Sequence, residues 1–175
     1  DFECRIKPNQ GRDFSAYCIA ARDIYDKYDY VCCLKDKKAP HTSYLAAESF
    51  DKQCWDSVLF SRDYVNNCLR LFYDHHSAGM IFSPPPNFGP YTALGNEMSK
   101  DRQHVLYLWK ELKLQIPQEE SDLIAPFGSI FWIKSAAIRT MLSHHWTYEE
   151  MPAEPIGPDG TLLHGLERIW AYAAQ

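Results

Sequence analysis

Residues 2–34, FECRIKPNQGRDFSAYCIAARDIYDKYDYVCCL, are the stretch whose reading decides the fold. Phe2, Cys4 and Ile6 alternate with Glu3, Arg5 and Lys7, the period-two pattern of a half-buried strand. Phe14, Tyr17, Ala21, Ile24 and Tyr28 then recur at helical spacing. Tyr30-Val31-Cys32-Cys33-Leu34 is short and nearly all apolar, which suits a strand covered on both faces. Strand, helix and strand within about 30 residues predict a βαβ unit, hence a parallel pair with a right-handed crossover. The expected fold class is therefore α/β, a mainly parallel sheet flanked by helices, in a single domain over residues 1–175.

The turn inside this unit is Asn9-Gln10-Gly11-Arg12-Asp13. Gly11 permits a tight turn, and the helix that follows offers free N–H groups to an anion. Arg12 adds a fixed charge. A single glycine is not a phosphate loop, so the turn signals an anion only together with its partner segment. That segment is Lys35-Asp36-Lys37-Lys38-Ala39-Pro40-His41, which begins where the apolar strand ends. Ligands of open α/β sheets bind beyond the carboxyl ends of strands. Asp36, Lys37, Lys38 and His41 at that point suit a diphosphate; the plainer alternative is a solvated basic turn.

Further along, residues 48–74 read as helix in two pieces, the second capped by Ser61 with Val65, Leu69 and Phe72 as its stripe. Gly79-Met80-Ile81-Phe82 reads as a strand stopped by Pro84-Pro85-Pro86. Residues 99–113 read as a helix capped by Ser99, with Val105, Leu108, Trp109 and Leu112 inward. Residues 128–133 read as a strand, and Ser135 as the cap of a helix ending near Leu142. His75-His76 and His144-His145 invite a metal reading, but adjacent histidines point apart on regular structure, so exposed or capping roles are the expectation.

The last helix carries the densest chemistry: Asp159, His164, Glu167 and Arg168, alongside an apolar stripe of Leu162, Leu163, Leu166 and Ile169. His164 and Glu167 stand three apart and share a face. Asp159 lies at the helix start, where it can act as an N-cap. The bland reading is a capped amphipathic helix with a surface ion pair. The sharper one is an acid, an imidazole and a guanidinium gathered beside a core for proton transfer.

The chain has 175 residues and 46% hydrophobic content, enough for one core. Its net charge of −5 argues against a nucleic-acid partner held by phosphate neutralisation. No apolar run approaches the roughly 20 residues of a membrane span, and no signal peptide is read at the start. The six cysteines form no CxxC pair and are expected as free thiols of a cytoplasmic protein. They give no zinc spacing either.

Five stretches in order resemble the rhamnan synthesis protein F family of bacterial rhamnosyltransferases. They are NQGRD, YDYVCCLKDKKAPH, IFSPPPNFGPY, APFGSIFWIKSAAI and YEEMPAEPIGPDGTLLHGLERI. The first part is also similar to GT-A glycosyltransferases. The resemblance implies a partial GT-A-like domain that begins at what matches a third strand, its earlier strands missing. It implies an inverting transfer of L-rhamnose, or a similar deoxyhexose, from dTDP-L-rhamnose to a polysaccharide or lipid-linked acceptor. The setting would be cytoplasmic, with room for peripheral association of the full-length protein at the inner face of the membrane. Asp159 matches the catalytic base, with His164 second and Glu167 beside them. Asn9, Arg12, Asp13, Asp36, Lys37, Lys38, His41 and Arg168 would bind substrate. Asp36 stands where such enzymes carry Asp-x-Asp, but Lys37 and Lys38 follow it. No cofactor is therefore assigned, and the Mg or Mn ion of such enzymes is left without its motif. The competing expectation is a non-catalytic glycan- or protein-binding module of a polysaccharide assembly complex. A metal-dependent phosphohydrolase using Asp36 and His41 has little spacing behind it.

Overall fold

A computed structural model describes residues 2–36, 43–85, 100–115, 124–157 and 159–174. Among the described residues the sheet has three strands, β1 (Tyr30–Cys33), β2 (Met80–Phe82) and β3 (Phe131–Lys134), in the order β1-β3-β2. Both pairings are antiparallel, with Tyr30 opposite Lys134 and Met80 opposite Ile133. This overturns the expected α/β fold with a mainly parallel sheet. β1 finds its partner about a hundred residues away rather than across the first turn, a pairing that local periodicity does not encode.

The expected first strand does not form. Phe2 and Ile6 are 93% and 98% exposed, so their alternation with charges faces no core. The segment is instead held by Arg5, which ion-pairs with Asp23 and donates to the Ala20 carbonyl at 2.8 Å. The helical stripe after it is real but broken. It runs as α1 (Arg12–Ser15), a π turn (Ala16–Ala20) and a 3₁₀ turn (Arg22–Asp26), with Phe14, Tyr17, Cys18 and Tyr25 buried.

The sheet is covered on both faces, as the apolar run at β1 implied. On one face Val31, Cys33, Phe131, Ile133, Met80 and Phe82 pack with α1 and its continuation, α5 (Arg139–Leu142) and α6 (Leu162–Ala173). On the other, Cys32 and Trp132 pack against α2 (Tyr44–Leu59) through Phe50, Cys54 and Val58. Trp132 donates its indole N–H to the Val58 carbonyl at 3.0 Å. α3 (Arg62–Asp74) stacks Phe72 on Tyr30, with centroids 5.2 Å apart. Its predicted cap holds: the Ser61 hydroxyl accepts from the Tyr64 N–H at 3.1 Å. Ser135 does not cap a helix. Its hydroxyl donates to the Tyr28 carbonyl across the sheet edge, and α5 starts only at Arg139.

α4 (Arg102–Glu111) lies against α6, burying Val105 and Leu108. The two helices approach closely because α6 carries Gly165: a Cβ there would fall 2.6 Å from the His104 Cβ. Ser99, the expected cap of α4, lies outside the described residues. The carboxyl ends of β1 and β2 and the start of β3 meet at one sheet edge, since Cys33 and Phe82 both face Phe131. The segment just before β3 reaches from there to α6.

Candidate functional site

Where α4 begins, it meets the loop that opens α6. Asp101, in the N-cap position of α4, makes no cap bond to its own helix and is only 1% exposed. Its Oδ1 accepts from the Gly160 N–H at 2.9 Å instead. Gly160 has φ +75°, the left-handed conformation that turns the chain between Asp159 and Thr161 at little cost to glycine. The N-cap position of α6 is Thr161, not Asp159. Asp159 is therefore released from the capping role its place in the sequence allowed. It stands half-buried, its carboxyl beside that of Asp101.

His164 completes the group. One ligand-capable atom from each of Asp101, Asp159 and His164 lies within 4.8 Å of the others. The His164 Nδ1 is 2.8 Å from the Thr161 hydroxyl, one turn back, which leaves Nε2 without that partner. Arg168 lies one turn beyond His164 and is 4% exposed. Its Nη1 donates to Glu167 Oε2 at 2.7 Å and its Nη2 stands 3.5 Å from Asp101 Oδ2. The guanidinium packs over the Phe127 ring, 4.9 Å from the centroid. The second Glu167 oxygen accepts from the Gly128 N–H at 2.8 Å, tying α6 to the segment that leads into β3.

The electrostatics follow from this packing. Burial, and then the adjacent Asp159 carboxyl, push the Asp101 pKa up to about 6; Arg168 opposes the rise without cancelling it. Burial lowers the His164 pKa, against the pull of Glu167 and Asp159, so the imidazole is neutral at pH 7. Two carboxyls in contact, one buried and one half-exposed, beside a neutral imidazole can hold and move a proton at a hydroxyl brought to Asp159.

Four sequence candidates, Asp159, His164, Glu167 and Arg168, thus share one cluster. The N-terminal ones lie beside the loop leading to it. Arg12 pairs with Glu154 at 3.2 Å and donates to the Ile156 carbonyl at 3.0 Å. Its charge also bears on His164. Asp13 pairs with Lys35 at 3.1 Å, joining the NQGRD turn to the end of β1. Asn9 and Asp36 are exposed. Lys37, Lys38 and His41 lie outside the described residues. The histidine pairs take other roles. The His75 and His76 carbonyls accept from Lys134. His144 stacks on Trp146 and meets Glu150 at 2.6 Å and Glu111 at 3.6 Å. Sequence reasoning missed Asp101, because Ser99 nearby is the better cap and an acid at a helix start ordinarily needs no further explanation.

A buried and a half-exposed acid at the mouth of two packed helices form the candidate site. The chain belongs to the Rhamnan synthesis protein F family, whose pattern it matches over residues 1–175. It is 27% identical over 172 residues to the uncharacterized protein WxcX of Xanthomonas campestris pv. campestris. That match covers 94% of the chain and 23% of WxcX, so the chain spans about a quarter of its relative's length. No solved structure matches. Among the described residues no helix is long and apolar enough to cross a membrane.

Proposed function

We propose that the chain carries the proton-accepting site of an inverting glycosyltransferase. It would move L-rhamnose, or a similar deoxyhexose, from a dTDP-sugar to a growing cell-surface polysaccharide. Asp159 is the base. Its carboxylate takes the proton of the acceptor hydroxyl as that oxygen bonds to the anomeric carbon, while the bond from that carbon to the nucleoside diphosphate breaks. Charge then grows on the departing diphosphate, which needs cations or oriented N–H groups. Arg12, at the start of α1 and bonded to the loop that leads into the cluster, is the described candidate for that role, with Lys37, Lys38 and His41 as the further candidates of the sequence. The reaction would take place in the cytoplasm, with room for peripheral association of the full-length protein at the inner face of the membrane.

The observation that carries this reading is the position of Asp159. It is half-exposed, free of capping duty, and backed by buried Asp101 and neutral His164. The test is Asp159→Asn in the full-length enzyme with dTDP-L-rhamnose. Because Thr161 holds the cap position, the unfolding midpoint is expected to change little. Transfer should fall by about 10²–10⁴-fold, the usual loss for a general base. Transfer at near the wild-type rate would move the base elsewhere, with His164→Gln the next variant to assay.

A further inference from the structure

We propose that Asp101, Asp159 and His164 form a divalent-cation site between the start of α4 and the first turn of α6, of the kind that takes Mn²⁺ or Zn²⁺. The inference concerns the same cluster but does not depend on the glycosyl-transfer reading.

The ligand atoms stand close to coordinating separations. All three lie within 4.8 Å of one another. Two ligands each about 2.2 Å from one ion stand roughly 3 to 4.4 Å apart, so only a small closure is needed. The imidazole is oriented for the task. The Thr161 hydroxyl on Nδ1 fixes the ring and leaves Nε2 for a cation, as an outer partner of a metal-ligating histidine does. The charge balance also points to a missing cation. Arg168 is the buried positive charge nearby, yet it is matched by Glu167 at 2.7 Å and only approaches Asp101 at 3.5 Å. Asp101, Asp159 and Glu167 thus set three carboxyls against one guanidinium.

A further group is aimed into the site. Arg168 is 4% exposed, and its Nε, on the guanidinium edge shared with Nη2, has no hydrogen-bond partner. A buried N–H without an acceptor is costly. An oxygen carried in on the cation, from water, a phosphoryl group or a sugar hydroxyl, would satisfy it. Two carboxylates with one imidazole favour Mn²⁺ or Zn²⁺ over Ca²⁺, which takes oxygen ligands.

The experiment titrates Mn²⁺ into the intact, chelator-stripped protein and reads free Mn²⁺ by electron paramagnetic resonance, with no sugar donor present. Wild type is expected to take up one equivalent that Asp159→Asn and His164→Gln each lose, their affinity falling at least tenfold. Thr161→Val, which keeps every ligand, should weaken binding about tenfold through the lost outer partner. Glu111→Gln, a remote acid beside His144, should bind as wild type does. Undiminished free Mn²⁺ with the wild-type protein at millimolar metal would overturn the proposal. So would unchanged uptake in both Asp159→Asn and His164→Gln. Because no transfer is measured, an inactive enzyme that binds Mn²⁺ would sink the functional reading and leave this one standing.

Discussion

Replacing Asp101 by asparagine should make the metal-free protein more stable above pH 6, although it removes a member of the cluster. The folded state holds the Asp101 proton up to about pH 6, against an ordinary 3.8. The sign follows from linkage. Between those values the folded chain binds a proton that the unfolded chain has released, so stability falls as pH rises through the window. Below the window the carboxyl is neutral in both states and nothing is lost; above it the full cost is present. The gap from 3.8 to about 6 corresponds to about 3 kcal/mol. Half-exposed Asp159 admits water beside the pair, and screening reduces the figure to about 1–2 kcal/mol. Asparagine keeps the oxygen that accepts from Gly160 and supplies an N–H to Asp159, while deleting the charge. Urea unfolding of both proteins in chelator at pH 4, 5, 6, 7 and 8 measures the effect. The expected result is a gain of about 1–2 kcal/mol for Asp101→Asn at pH 8 that shrinks to nothing near pH 4. An asparagine variant less stable than wild type at pH 8, or a gain that does not vary with pH, would refute the reasoning.

Other expectations follow from neighbouring contacts. Arg168→Met should cost about 3–5 kcal/mol in thermal or urea unfolding, because Asp101 and Glu167 lose their buried counter-charge. Gly165→Ala should lower the melting temperature by overpacking against His104 at the α4–α6 crossing, a cost of about 1–3 kcal/mol. At the turn before residue 148, Thr147 and Glu150 form a reciprocal capping box, and Thr147→Ala should cost about 0.5–2 kcal/mol by the same measurement. Titration with a thiol reagent should find six free cysteines after denaturation. In the native protein exposed Cys4 should react first. Cys33 should wait for unfolding, because burial pushes its thiol up to about 12.

The elements that were legible in the sequence are those whose burial is written in a local pattern. The run at 30–34 read correctly as a strand covered on both faces, since Cys33 and Cys32 enter opposite packing layers. Ser61 and the inward positions of α4 read correctly for the same reason, a cap or a stripe within one element. What failed was pairing. Alternation in residues 2–7 carries no information on whether the segment pairs with a sheet, and it does not: Arg5 tethers it to Asp23 instead. The parallel sheet was inferred from the nearness of two segments in the chain, but β1 takes its register from β3. Antiparallel neighbours that far apart leave no signature in either strand alone.

The site divides along the same physical line. Asp159, His164, Glu167 and Arg168 were visible because one short segment places four ionisable groups beside an apolar stripe, a set that a merely solvated helix face does not need. Their partner was not visible, because Asp101 becomes unusual only in three dimensions. Its own helix would accept it as an ordinary acidic start, yet its carboxyl turns away to Gly160, and Asp159 is delivered to it by a loop from the other end of the chain. Folding for stability alone would not press a second carboxyl against buried Asp101, since the contact opposes its ionisation. The remaining interactions of the cluster look built to hold that contact in place. Glu167 anchors α6 to the Gly128 N–H, Arg168 is pinned under Phe127, and Gly165 lets α4 come close enough for Asp101 to reach across. An electrostatic cost maintained by this much surrounding structure is the strongest reason to look for the chemistry of the chain here.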